Sequence, residues 1–194
     1  DLVMGTDPDS DRVGIAAKNL HGEIQLLNGN QTASLLIYYL LNAWKDAGKL
    51  TGTQFVCKTI VTSDLLDVMA ADFKVNCYNT LTGFKYIAQV IREKEGIEQF
   101  IGGGEESYGY LIGDAVRDKD AIASCAMIAE LTAYAKDRGL SLFDLLIEIY
   151  TRYGFYYEGL LSVTKKGKSG AEEIQQMMAD FRQNPPKQLA GSQV

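Results

Sequence analysis

Phe55-Val56-Cys57-Lys58-Thr59-Ile60-Val61 is a β-rich run, and the alternation it begins decides the fold. A helix from about Asp64 to Phe73 follows, with Ser63 placed to cap it. Val75 to Asn79 is a short strand, Phe84 to about Lys94 a helix, and Phe100-Ile101-Gly102-Gly103 a buried strand entering an acidic loop. Tyr108 to Ile112 is a further strand. Strands alternating with helices predict an α/β fold with a mixed, largely parallel sheet flanked by helices. In such sheets ligands bind at loops beyond the C-terminal ends of the strands.

Upstream, Val13 to Ala17 and Glu23 to Leu27 read as strands joined by the turn Asn19-Leu20-His21-Gly22, which leaves His21 an exposed turn residue. Asn30 is placed to cap a helix from Gln31 to Asp46. Downstream, a helix of about Asp120 to Arg138 ends at Gly139. Ser141 to Asp144 has the capping-box pattern for a helix reaching Tyr153. Phe155 to Val163 predicts a strand, and Ser169 with Glu172 a capping box for a last helix to Arg182, stopped by Pro185-Pro186.

With 194 residues, 46% of them hydrophobic, the chain can bury a good core. Its net charge of −6 and pI near 4.9 argue against a nucleic-acid surface, which would need a basic face. No apolar run approaches the roughly 20 residues that cross a bilayer. Cys57, Cys77 and Cys125 are widely spaced in apolar surroundings, so free thiols in a reducing compartment are expected. No signal peptide is evident, and a cytoplasmic location is expected. The chain opens on Asp1 at the edge of an apolar, strand-like segment, as a piece of a longer polypeptide would.

Chemistry concentrates in three loops. The first is Gly5-Thr6-Asp7-Pro8-Asp9-Ser10-Asp11-Arg12. Three carboxylates at alternate positions repel one another unless a cation sits among them, and oxygen-only ligands suit Mg²⁺ before Ca²⁺ and well before zinc. The pattern argues against an EF-hand, because counting from Asp7 its glycine position holds Arg12 and its glutamate position Lys18. Arg12 beside the acids suggests a phosphorylated ligand sharing the metal. The second loop, Thr80-Leu81-Thr82-Gly83-Phe84-Lys85, opens a helix, where hydroxyls, free N–H groups and Lys85 suit a phosphate or sugar oxygen. The third is Gly102-Gly103-Gly104-Glu105-Glu106-Ser107-Tyr108-Gly109. Its glycines allow close backbone approach, and a carboxylate flanked by serine suits paired hydrogen bonds from vicinal sugar hydroxyls. By contrast, Val116-Arg117-Asp118-Lys119-Asp120 reads as a salt-bridged, solvated helix start, and Ser63 has no nearby histidine to make it a nucleophile.

Taken together, and in this order and spacing, the three loops resemble those of the α-D-phosphohexomutase family, which includes the phosphoglucomutases and phosphomannomutases. The resemblance covers Asp1 to about Tyr157 and weakens thereafter. It implies four domains around a cleft, and a phosphate moved between two hydroxyls of a sugar through a phosphoserine and a bisphosphorylated sugar. It further implies that Asp7, Asp9 and Asp11 hold Mg²⁺ and that Arg12 positions the phosphoserine. Glu105 and Ser107 would grip sugar hydroxyls, while Thr82, Gly83 and Lys85 would contact substrate, Lys85 also serving as a candidate proton carrier. Glu106 looks like the phosphoglucomutase form of the sugar loop, implying glucose phosphates as substrate and glucose 1,6-bisphosphate as activating intermediate. Tyr108 leans toward phosphopentomutase-like members.

Neither the phosphoserine loop nor the family's fourth-domain phosphate loop is in the sequence. Residues 1–25 therefore correspond to the end of domain 2 with its metal loop, 26–158 to domain 3, and 159–194 to a connecting segment. The remaining domains of the same polypeptide and a small phosphosugar are the expected partners, with no nucleic acid and no membrane, and this piece alone should be inactive. The competing readings are phosphomannomutase or phosphopentomutase specificity, a non-catalytic sugar-phosphate-binding module, or a Ca²⁺-stabilised structural domain.

Overall fold

The computed structural model describes residues 2–189 and 191–193. They form two compact units, the first ending at Glu158 and the second starting at Gly159.

The first unit opens with an antiparallel meander of β1 (Leu2–Thr6), β2 (Val13–Lys18) and β3 (Ile24–Leu27). Alternation turns Val13, Ile15 and Ala17 inward, where they join Leu27 in the main core. In the β2–β3 turn the Asn19 side chain accepts the His21 and Glu23 N–H groups, leaving His21 at the surface as expected.

Helix α1 (Gly29–Asp46) runs through the middle of the unit, with every residue from Leu35 to Leu41 buried. A helix apolar on all sides belongs in a core, not at a surface. Its cap is Asn28, not Asn30. The extended backbone of Asn28 lets its side chain accept the Gln31 N–H at 2.8 Å, while the Gln31 side chain accepts the Asn28 N–H at 3.0 Å. Asn30 lies in the first turn, and its side chain accepts the Ser63 N–H instead.

The second sheet has the order β5-β4-β6-β7, built from β4 (Gln54–Thr59), β5 (Asn76–Thr80), β6 (Gln99–Gly104) and β7 (Tyr110–Ile112). Pairings of β4 with β5 and β6 are parallel, and β7 is antiparallel to β6, which is the mixed, largely parallel sheet the alternation predicts. β4 is buried at every position, as a parallel strand covered on both faces must be. One face packs Phe55 and Cys57 against Phe84, Ile87 and Ile91 of α3 (Phe84–Lys94). The other face meets α1 and α2 (Leu65–Asp72). Helices α4 (Ala121–Asp137) and α5 (Leu142–Tyr153) complete the core beside the meander. α5 carries the expected capping box between Ser141 and Asp144.

β4 and β6 approach closely because β6 carries glycines. A Cβ added to Gly103 would lie 2.0 Å from the Cys57 carbonyl oxygen, and neither backbone can yield inside the paired sheet. Gly103→Ala should therefore destabilise the fold by about 3 kcal/mol, the upper part of the overpacking range, as measured by chemical denaturation.

At the edge of β5, Glu98 accepts from Asn76 and Tyr78 and pairs with Lys94, each at 2.7 Å. Burial opposes its charge, but these partners outweigh it and hold the carboxyl down at about 2, from an ordinary 4.5. A lowered folded-state pKa gives stability that is fully present above 4.5 and lost as pH falls toward 2. Between those values the wild type should lose stability more steeply than Glu98→Gln, as pH-dependent denaturation would show.

Other local expectations fail as well. The β4 strand ends at Thr59, where a turn closed by the Thr62 N–H to the Thr59 carbonyl leaves Ile60 and Val61 exposed. At α2 the capping position is Asp64, without a side-chain cap bond, and Ser63 Oγ accepts only the Leu65 N–H at 3.3 Å. Residues 155–163 form no strand. α5 stops at Gly154, and the β-prone segment beyond it pairs with no strand edge among the described residues, leaving its backbone groups without a ladder.

The second unit holds α6 (Gly167–Gln183) and the short hairpin β8 (Gln188–Leu189) and β9 (Ser192–Gln193). α6 starts at Gly167, before the expected capping box, so Ser169 falls inside its first turn and makes no cap. Pro185 and Pro186 follow its end. No helix among the described residues is long and apolar enough to cross a membrane.

Candidate functional site

The acidic loop joins β1 to β2 and is shaped by its own first aspartate. Asp7 Oδ1 accepts the N–H groups of Asp11 and Arg12, each at 3.1 Å. The backbone closes around it from Ser10 N–H to the Asp7 carbonyl, with Ser10 in the left-handed region at φ 57°. The Arg12 N–H, foremost, and then the Asp11 contacts hold the Asp7 carboxyl below its ordinary range against the effect of burial.

The outcome is a converging triad. Asp7, Asp9 and Asp11 each offer a carboxylate oxygen, and these lie within 4.8 Å of one another. Asp9 is exposed, and Asp11 Oδ1 is buried with no hydrogen-bond partner. A buried carboxylate oxygen without a donor is costly, and a divalent cation would satisfy it. The all-oxygen donor set fits Mg²⁺ and does not fit zinc.

The other two loops sit at the C-terminal ends of parallel strands, as the topology requires. Glu105 follows β6, is buried, and accepts the Gly83 N–H through Oε1 at 2.9 Å. Gly83 is the residue before α3, so the carboxylate takes one of that helix's free N-terminal donors. Thr82 and Lys85 flank this contact and are exposed, with the Lys85 ammonium 4.9 Å from the Tyr86 ring centre. Ser107 is half-buried. Tyr108 turns the loop back with φ 72°, a strained value for this residue type, and its carbonyl accepts the Val13 N–H of the acidic-loop strand at 3.1 Å.

Lys119 is the residue that sequence reasoning missed. It is not solvated, since only 11% of its side chain is exposed. Its Nζ lies 3.0 Å from Asp11 Oδ2 and 5.4 Å from the Phe84 ring centre, and its stem fills the space beside Gly109. Burial disfavours its charge, but Asp11 and Asp118 outweigh that and shift its pKa upward. One lysine side chain thus lies against all three loops, its ammonium on Asp11 and over the Phe84 ring and its stem beside Gly109. The Ala121 N–H adds a tie to the Ser10 carbonyl at 3.2 Å. Arg117 and Asp118 remain exposed, as the local charge density suggested. A local signal for Lys119 is its position just before the Asp120 cap of α4.

The three cysteines are free, and burial pushes the Cys57 thiol up to about 12, so it is not a nucleophile at neutral pH.

Comparison with known proteins follows the same outline. Residues 28–153 match the family model described as phosphoglucomutase/phosphomannomutase, alpha/beta/alpha domain III. A phosphoglucomutase of Staphylococcus aureus strain MRSA252 is 38% identical over 194 residues, covering 100% of this chain and 34% of the relative. The chain thus spans about a third of the length of the curated relatives it matches. A Thermus thermophilus protein provisionally described as a phosphomannomutase superposes with a TM-score of 0.62 at 25% identity, covering 86% of this chain and 35% of that one. The parafusin phosphoglucomutase of Paramecium, in an open form, superposes with a TM-score of 0.61 at 18% identity, covering 94% and 30%, a likeness of fold. With the family model matched across the α1–α5 body that positions these loops, the chain belongs to the phosphoglucomutase/phosphomannomutase family and carries its third domain.

Proposed function

We propose that this chain supplies the metal loop and the sugar-recognition loop of a phosphoglucomutase that interconverts glucose 1-phosphate and glucose 6-phosphate. The observation that carries the proposal is the Lys119 tie, which gathers the acidic loop, the Gly83 helix start and the Glu105 loop around one place. Asp7, Asp9 and Asp11 would hold Mg²⁺, whose charge neutralises phosphoryl oxygens and so lowers the barrier to transfer.

The chain's own groups then divide the work. Arg12, exposed beside Asp7 and Asp11, holds the phosphoryl donor, a phosphoserine supplied from outside these residues. Glu105 Oε1 is fixed by Gly83, leaving Oε2 to accept a pair of sugar hydroxyls, with Ser107 beside it. Because a carboxylate accepts from either direction, it binds the sugar both before and after the bisphosphate intermediate turns over. Thr82 and Lys85 contact the substrate phosphate at the start of α3, and Lys85 is placed to carry a proton. Free thiols accord with a reducing, cytoplasmic setting.

The test is a coupled mutase assay on the complete polypeptide with glucose 1-phosphate, glucose 1,6-bisphosphate and Mg²⁺. Mannose 1-phosphate and ribose 1-phosphate serve as competitors for specificity. Mg²⁺-dependent turnover with glucose 1-phosphate preferred is expected, and binding without turnover on any sugar would overturn the proposal.

A further inference from the structure

Glu105 and Glu106 are adjacent, but their carboxylates are used differently. Glu106 Oε2 accepts from the hydroxyls of Thr59 at 3.0 Å and Thr62 at 3.2 Å, and the Glu106 N–H donates to Thr62 Oγ1 at 3.1 Å. The two hydroxyl oxygens are 2.7 Å apart and both threonines are buried. Two hydroxyl hydrogens are shared over the three O···O contacts, and the Glu106 N–H is committed to Thr62 Oγ1, closing a ring between the end of β4 and the sugar loop.

The turn that presents these threonines is itself fixed. Lys58, 1% exposed, donates to the Thr62 carbonyl at 3.0 Å and pairs with Asp67 at 2.9 Å and Asp64 at 3.3 Å. On the opposite side Gly29 presses on the same loop, since a Cβ there would lie 1.7 Å from the Glu106 carbonyl oxygen. Tyr110, beyond the loop, donates to the Gly29 carbonyl at 2.9 Å. Glu106 is thus held from both sides, while Glu105, one residue earlier, must place its carboxylate on Gly83.

We propose that Glu106 is a positioning residue. Its clasp by Thr59 and Thr62 sets the backbone from which Glu105 reaches the sugar, and Glu106 makes no substrate contact of its own. This rests on the sugar-binding role given to Glu105. A hydroxyl clasp needs an acceptor oxygen and not a charge, so glutamine can replace Glu106 and alanine cannot.

The test compares Glu106→Ala, Glu106→Gln and the double variant Thr59→Val/Thr62→Val. Two readouts are taken: amide exchange at Gly83 in the 194-residue chain, and KM and kcat for glucose 1-phosphate in the complete polypeptide. Losing one clasp to an ionised group should raise KM about tenfold in Glu106→Ala with kcat changed less, and speed Gly83 exchange by a similar factor. Exchange in β4 should stay unchanged, the threonine double variant should behave like alanine, and Glu106→Gln should stay within about threefold of wild type. Glu106→Gln as damaging as Glu106→Ala would mean that the charge itself meets substrate, and would overturn the proposal. Unchanged Gly83 exchange in both the alanine and the threonine variants would overturn it too. If the wild type shows no turnover, the mutase reading falls, while the Gly83 exchange still decides the clasp.

Discussion

Asp9→Asn should leave the fold intact and cut mutase turnover of the complete polypeptide by about a thousandfold, roughly 4 kcal/mol of barrier. The separation of the two effects is what makes the variant informative. Asp9 is exposed and engages no hydrogen-bond or ion-pair partner among the described residues, so its amide should change stability by no more than about 0.5 kcal/mol. The kinetic loss comes from removing one of three converging carboxylate oxygens. Charge neutralisation on a transferring phosphoryl group is worth several kcal/mol, and a weakened site loses most of it. Asp7→Asn is the less clean companion, because the Asp7 side chain also accepts the Asp11 and Arg12 N–H groups that shape the loop. Denaturation curves paired with Mg²⁺-titrated rates would check both parts. Equal losses in stability and activity would show that the loop is held together by its acids rather than working through them.

Glu105→Gln should reduce kcat/KM about a hundredfold for the 1-phosphate and the 6-phosphate alike. The Gly83 N–H needs only one acceptor, and the glutamine carbonyl oxygen can provide it, so the fold loses little. What disappears is the second acceptor. In its place stands an amide donor facing the proposed sugar hydroxyls, and an unmatched bond to a formerly charged group costs about 1.5 to 3 kcal/mol. Under the proposed mechanism the sugar binds in two orientations at this one carboxylate, so both substrates should suffer. A loss confined to one of them would place Glu105 on one phosphate's side of the site and remove its role as the common sugar contact.

Much of this architecture was legible because its causes are local. The β4–α2–β5–α3–β6 alternation follows from apolar periodicity, and every one of those elements is present. The three loops were visible because clustered carboxylates and glycines are expensive without a purpose. The cap of α1 is also written locally, in the spacing of Asn28 and Gln31. Asn28 stands three residues before it, which is the spacing a capping box needs, whereas Asn30 is adjacent to it. Lys119 was not legible. Asp118-Lys119-Asp120 reads as a solvated run in any local window, and its partner Asp11 lies at the far end of the sequence. The Thr59–Thr62–Glu106 ring was hidden for the same reason, since only the parallel pairing of β4 with β6 brings those loops together. Residues 155–163 failed in the opposite way. Their β propensity is real, but a strand exists only where a neighbour offers a ladder.

If the three loops form one site, they must answer a ligand together. Nuclear magnetic resonance of the ¹⁵N-labelled chain, titrated with glucose 1-phosphate at millimolar levels in the presence of Mg²⁺, tests this most directly. Shifts should appear together at Asp9 and Asp11, at Gly83, and at Glu105 and Ser107, all following one saturation curve and weakening when Mg²⁺ is withdrawn. Loops that respond with different affinities, or shifts that gather along α6 while these residues stay still, would contradict the account.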